Sequence, residues 1–573
     1  MGTQNLYKNL WFLLNNTERK RAVYLAGYLL VGTLLEVASI GVLIPLIQVL
    51  TQSNLHSKYE IVDKLFPNSS DNQVVVYVML AVLAVFLLKE VFLGVCLWKY
   101  RGFIARLETR FQTELYNSYT NQPFEFHLSN NSSLLTRNIL NSTNFIDNIV
   151  DPIFILLTDG IVTIALCITL IALEPIPMLV TISCVGSVAG LFHRISKIRI
   201  ISWGLLRQDR EGKRLQMLNE SLNGIKDIVV NGREKYFQMR FAQVALDLSN
   251  LKRNFMTLLG IPRLYLELLA VVGLVALNLT AVVLGRSSES LLPMLALFAG
   301  GAFRLMPAAN RVAFAFQSLK MGRPIVDAMQ LDFKSSSELS ARVESDVSVE
   351  FRNQIRFEGV SYSYPNSNKF VIDQMSFEIE KGSEVGILGT TGAGKSTLVD
   401  ILLGLLRPTR GRVTVDGVDI STNIRGWQAL VGYVPQTIFL IDSSIRANIA
   451  FGIDERDIDD ERIMRTLVLA QLNEFVDGLP AGINELVGER GVRLSGGQRQ
   501  RIGIARALYL DPPILVFDEA TSALDMETEK EVMKSIDYLK NEKTIVIVTH
   551  RFSALEHCDQ TIRVDEGKPT FKQ

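Results

Sequence analysis

Residues Gly389 to Ser396 read GTTGAGKS. Glycines, one ammonium and one hydroxyl at this spacing suit a loop that holds a run of phosphates. Gly389, Gly392 and Gly394 let backbone N–H groups face phosphate oxygens at the head of a helix. Lys395 neutralises the β and γ oxygens, and the Ser396 hydroxyl is suited to ligate Mg²⁺. Every fixed position of G-x-x-x-x-G-K-[ST] is met. The phosphate-binding stretch therefore takes in Gly389, Thr390, Thr391, Gly392, Ala393, Gly394, Lys395, Ser396 and Thr397. Further on, ILVFDEATSALD ends an apolar run with two carboxylates. Asp518 is placed to hold the Mg²⁺ shell and Glu519 to polarise an attacking water. RLSGGQRQ supplies Ser495, Gly496, Gly497 and Gln498 at a second helix start, where backbone N–H groups again favour an anion. Such a set supports phosphoryl transfer to water.

These residues need an α/β scaffold to position them. The apolar EVGIL precedes the loop and an amphipathic run follows it, giving strand, loop and helix. The apolar Ile514 to Phe517 suits a buried parallel strand. A second scaffold is needed upstream. The chain has 573 residues, more than one core usually organises, and 48% are hydrophobic. Six apolar segments have the length a bilayer requires: Ala22–Leu50, Val74–Trp98, Val150–Leu173, Ile176–Phe192, Met256–Leu284 and Leu291–Arg311. Lys and Arg crowd the ERKR stretch before the first segment and the long connections Arg101–Asn148 and His193–Asn254. The positive-inside rule puts those parts, both termini included, in the cytoplasm. The expected domains are residues 1–334, spanning the membrane with cytoplasmic helix extensions, a polar linker at 335–350, and an α/β P-loop domain at 351–573. Basic and acidic residues balance at 59 each, which gives no charge-driven reason to bind nucleic acid. The four cysteines are scattered, without disulfide or zinc spacing. The first residues have no cleavable-signal pattern.

Nearly the whole chain resembles an ABC exporter half-transporter, with its membrane domain before its nucleotide-binding domain. The marks are Lys395 in the P-loop, YVPQ ending in Gln436, VGERG at Val487–Gly491, LSGGQ at Leu494–Gln498, SALD at Ser522–Asp525 and VTHR with His550. The resemblance implies that Glu519 is the catalytic base, that His550 contacts the γ-phosphate, and that Gln436 reads the metal and attacking water. Tyr364 in YSYP falls where the family stacks an aromatic on adenine. Each ATP, with Mg²⁺, is implied to lie between the P-loop of one chain and the LSGGQ segment of another, so a homodimer is expected; a heterodimer with a similar partner is the other arrangement. FEFHLSNNSSLL near Phe124–Leu135 and LNGIKDIVVNGREKYF near Leu222–Phe237 are where coupling helices are expected.

The membrane half carries the substrate question. FRLMPAANR at Phe303–Arg311, PRLYLE at Pro262–Glu267 and the external stretch NLHSKYEIVDKLF resemble the bacterial lipid-linked oligosaccharide flippases of protein glycosylation (PglK-type). Counted at about 1.5 Å per residue from the external ends, Lys89 and Arg304 reach one depth, and Arg263 and Arg311 a deeper one near the cytoplasm. A charge in mid-membrane is costly and faces a cavity or a partner. One expectation is a cavity in which Lys89, Arg263, Arg304 and Arg311 receive an anionic head group, the substrate being a polyprenyl-pyrophosphate-linked oligosaccharide in the bacterial inner membrane. The other is neutralisation by Glu36, Glu90, Asp159 and Glu267, with Arg263 and Arg311 reaching the inner interface. The alternative cargo is a lipid, drug or peptide. A non-transporting ATP-gated channel or regulator fits less well, because the ATP-site motifs are intact and no regulatory insertion interrupts the chain. A soluble relative acting on DNA or ribosomes is excluded by the spans.

Overall fold

The computed structural model describes residues 13–41, 71–173, 175–283, 303–327, 329, 349–365, 367, 369–520, 526–537, 539, 542–550, 555, 558–565 and 567–571. It divides into two compact units, Met1–Gln122 with Phe126–Ala341, and Arg342–Gln573 with Pro123–Glu125. Expectations on the first external connection, the 335–348 linker and the SALD tetrapeptide lie outside the described residues.

The first unit is helical: α1 Asn16–Gly41, α2 Asp71–Thr120, α3 Phe124–Ser129 (its first two residues grouped with the second unit), α4 Ser132–Phe145, α5 Asp151–Leu173, α6 Pro175–Asn223, α7 Ile225–Val230, α8 Glu234–Val283 and α9 over residues 303–327. Helices α2, α6 and α8 run 50, 49 and 50 residues. At about 1.5 Å per residue each far exceeds a hydrocarbon layer of about 30 Å. Among the described residues five helices are long and apolar enough to cross a membrane. The sixth expected span is described only from residue 303 onward. Pro175 opens α6, where its missing N–H costs nothing. Pro262 sits inside α8, next to Arg263. Both candidate coupling stretches contain short helices of six residues, α3 and α7, set between long ones. A π-turn, Ile146–Val150, joins α4 to α5. Ile146 and Ile149 in that turn are buried with Phe103, Leu107, Phe111 and Phe145 in the core of this unit.

The second unit holds two sheets. The smaller orders β2-β1-β4-β5 and is antiparallel, built from β1 Gln354–Tyr362, β2 Ile372–Glu380, β4 Arg410–Val415 and β5 Val418–Asp419. The larger orders β10-β9-β3-β8-β7-β6, from β3 Glu384–Gly389, β6 Val431–Val434, β7 Ile514–Asp518, β8 Thr544–Thr549, β9 Gln560–Asp565 and β10 Lys568–Phe571. Its β9, β3, β8, β7 and β6 pair in parallel. Buried on both faces, β7 and β8 read as unbroken apolar runs rather than alternating ones. Helix α10 (Lys395–Leu402) follows β3, and α11 (Gly496–Tyr509) precedes β7.

Candidate ATP site

The P-loop sits between the C-terminal end of β3 and α10, at the end of a parallel sheet where ligands bind in such folds. Gly394 caps α10 at φ 101°, and a Cβ there would meet Ile372 Cδ1 at 2.9 Å and Val371 O at 3.0 Å. Only glycine suits both constraints. Lys395 is buried, and its ammonium donates to Gly389 O (2.8 Å) and Thr390 O (3.1 Å). The lysine thus bends back onto the carbonyls of its own loop. Tyr364 is half-buried, and its hydroxyl shares a 3.0 Å hydrogen bond with Thr397 Oγ1.

At the end of β7 the three hydrolysis candidates meet. Gln436 Nε2 donates to Glu519 Oε2 at 2.7 Å, and His550 Nδ1 lies 3.5 Å from Glu519 Oε1. Glu519 has φ 48°, a left-handed conformation costly for a non-glycine residue. Its N–H donates to Val548 O (2.9 Å), which ties the strained turn to β8. Burial first, and then the charge of Glu519, pushes the Asp518 carboxyl above its ordinary range, with Tyr433 and Lys395 opposing. Sequence reasoning missed Asp400. It stands one helical turn beyond Ser396 on α10, and burial with Asp518 nearby pushes it up to about 6. The i, i+4 spacing from Ser396 was the available signal. Tyr433, on β6 opposite Val516 of β7, is the second omission; its hydroxyl lies 3.5 Å from Asp518 Oδ2.

These carboxylates bear on Mg²⁺. Among the described residues no three His, Cys, Asp or Glu side chains form a metal cage. Mg²⁺ in nucleotide sites is held by phosphates and water with one or two protein oxygens, so the arrangement fits. A divalent ion near Asp518 would favour its carboxylate against the burial, and then the Glu519 charge, that push its pKa up.

Ser495, Gly496, Gly497 and Gln498 head α11. The Ser495 side chain accepts from Gln498 N (3.2 Å) while Gln498 Oε1 accepts from Ser495 N (2.8 Å), a capping box. Among the described residues no hydrogen bond or ion pair joins this segment to the P-loop of its own chain.

The four membrane cations are paired. Arg304 meets Glu36, and Arg311 binds Asp159 bidentately at 2.9 and 2.6 Å. Arg263 Nε reaches Glu267 at 2.8 Å, and buried Lys89 reaches Glu90 at 2.9 Å while lying over the Phe86 ring. Each of the four cations thus meets one of the four acids named as neutralising partners. The physical reason is the cost of a charge without water or partner at these depths.

Residues 27–299 match the family described as ABC transporter transmembrane region, and residues 372–522 match ABC transporter. The chain is 30% identical over 474 residues to an ATP-dependent lipid A-core flippase of Bordetella avium, covering 78% of this chain and 75% of the relative. It is 26% identical over 579 residues to a flippase of the same name from Chromobacterium violaceum, covering 98% and 94%. A solved bacterial Atm1-family ABC exporter with ATP bound shares the fold, with a TM-score of 0.78 at 22% identity over 96% of this chain and 95% of that one.

Proposed function

The chain belongs to the ABC exporters, as a half-transporter that hydrolyses ATP, and on that premise we propose that it moves an amphipathic, anionic lipid across the bacterial inner membrane with both termini in the cytoplasm. The observation that carries the ATP-driven part is the convergence of Gln436 and His550 on Glu519, at the strand end beside the P-loop. In the proposed mechanism the Gly389–Gly394 amides and Lys395 bind the phosphates. Tyr364 stacks on the adenine. Ser396, Asp518 and Gln436 would hold Mg²⁺, which would supply positive charge to the phosphates. Gln436 and His550 orient Glu519 so that its carboxylate takes a proton from the attacking water. Among the described residues no hydrogen bond or ion pair ties Ser495, Gly496, Gly497 and Gln498 to their own P-loop, which supports a second copy supplying them.

The lipid part is supported by the printed names of the relatives, and its finer form, a polyprenyl-pyrophosphate glycan, by the FRLMPAANR and PRLYLE resemblance. In that form the pyrophosphate must displace Glu36, Glu90, Asp159 or Glu267 from Lys89, Arg304, Arg311 or Arg263. A second reading is favoured by those same pairs: the cations are structural and the cargo is another lipid, drug or peptide. ATP turnover in liposomes with added lipid-pyrophosphate glycan or lipid A separates the two. Stimulation by the glycan alone supports the finer form, stimulation by lipid A alone supports the second, and indifference to all lipids sinks the proposal.

A further inference from the structure

The cations first weighed for substrate binding are all held by carboxylates, but another group is not. Lys320 Nζ, on α9, lies 2.9 Å from His193 Nδ1 on α6. An ammonium cannot accept a hydrogen bond, so it donates to Nδ1, and the neutral imidazole then carries its proton on Nε2. The pair presents only donors: the remaining ammonium N–H groups and Nε2–H. Lys197 follows His193 by one helical turn and is near enough to act electrostatically on both. Among the described residues no carboxylate lies within ion-pair distance of these three, although Arg304 and Arg311 on the same α9 are both paired.

We propose that Lys320, His193 and Lys197 bind the phosphate of a lipid head group at the cytoplasmic ends of the membrane-spanning helices. Donors with no acceptor among them select an anion, and a phosphate accepts several charge-assisted hydrogen bonds at once. The position selects a lipid over free phosphate. His193 directly follows the apolar run that ends at Phe192, and Lys320 lies nine residues beyond Arg311, about 14 Å along the helix. Leu191, Ile195 and Ile198, on the face of α6 opposite the cations by helical spacing, are 63, 56 and 78% exposed, which keeps this stretch of the helix at the level of the acyl chains. The site rests on the lipid-export reading and gives it a phosphate station at the inner leaflet, separate from the four paired cations.

The test is retention of phosphatidic acid against phosphatidylcholine on the detergent-solubilised full chain, read by native mass spectrometry. The wild-type chain should retain phosphatidic acid preferentially, and millimolar inorganic phosphate should not displace it. Lys320→Gln should weaken retention about tenfold, or about 1.4 kcal/mol, with Lys320→Arg restoring most of it. Lys197→Gln repeats the measurement at an exposed position, without touching the Lys320–His193 contact. Equal retention by wild type and both Gln variants overturns the site, and displacement by inorganic phosphate overturns its assignment to a lipid. Lipid-stimulated ATP turnover on the same preparations reports on export separately: turnover indifferent to every lipid overturns that reading, while retention still decides the site.

Discussion

Glu519 carries the most demand of any residue, because its strained turn aims one carboxylate at two neighbours. Replacing it with Gln keeps the shape and the hydrogen bond from Gln436 possible while removing the base. ATP turnover should fall about a hundredfold or more, with nucleotide binding intact, as rapid-quench and equilibrium binding measurements would show. Hydrolysis near the wild-type rate would remove Glu519 from its assigned role. Asp400 makes a different prediction. The folded chain keeps its proton up to about pH 6, whereas the unfolded chain gives it up near the ordinary 3.8. Between those values unfolding releases a proton, so this residue's contribution makes stability fall as pH rises. Asp400→Asn should flatten that decline, measured as thermal midpoints of nucleotide-free protein between pH 4 and 7; an unchanged pH dependence would show that Asp518 or another acid sets it. Asp400 was not legible from the sequence because it belongs to no motif, and its pKa comes from burial against a strand more than a hundred residues away. The P-loop was legible because the octet and its flanking strand and helix are contiguous. Gln436, Glu519 and His550 are far apart in sequence, and only the family resemblance grouped them before the sheet brought them together.

Among the described glycines of the helical unit, those where α9 meets its neighbours are the most crowded. A Cβ on Gly322 would meet Ile149 Cδ1 at 2.7 Å and Asn148 Cβ at 2.9 Å in the π-turn, and one on Gly204 of α6 would meet Met321 O at 2.8 Å. Helix α9 is therefore held between the π-turn and α6 by glycines on each side. Gly322→Ala should destabilise by about 1–3 kcal/mol, since the π-turn must give way. Gly160→Ala on α5, where nothing lies within 4 Å, should be neutral or stabilising by up to about 1 kcal/mol. Thermal midpoints of the two variants compare them directly, and a Gly322→Ala midpoint equal to wild type would mean the contact is slack. Composition and charge bias made the long helices readable, because a bilayer imposes a length that few other environments do. The π-turn left only a weak mark: Pro152, two residues beyond it, lacks the N–H that would bond Asn148 O, but a proline there does not by itself specify an extra residue. Partner choice was equally hidden, since Arg311 and Asp159 lie 152 residues apart and meet only when α9 packs on α5.

At the scale of the whole molecule, the division of the proposed ATP site between Lys395 of one chain and Ser495 of another makes dimerisation testable without a structure of the dimer. If each ATP lies between the P-loop of one copy and the LSGGQ segment of the other, Lys395→Ala and Ser495→Arg disable opposite halves of a shared site. A homodimer of either variant then has no complete site. A mixed dimer has one, formed by the intact P-loop of the Ser495→Arg chain and the intact Ser495 of the Lys395→Ala chain. With random pairing half the dimers are mixed, so co-expression should restore roughly a quarter of wild-type ATP turnover if the two sites act independently. Differently tagged chains, purified through both tags in sequence, isolate the mixed dimers and should raise that to about half. The control is a single chain carrying both substitutions, paired with wild type: the double variant spoils its own P-loop and lends a damaged signature, so that dimer should have no intact site. Recovery in the first pairing without recovery in the second can arise only if the halves come from different chains. Recovery in neither, with dimers present by size-exclusion chromatography, would mean that both sites must turn over together, whereas recovery in the second pairing alone would mean that the signature serves its own chain. Trapping labelled ATP on the mixed dimer checks the first of these, because one complete site still binds nucleotide even where turnover needs two.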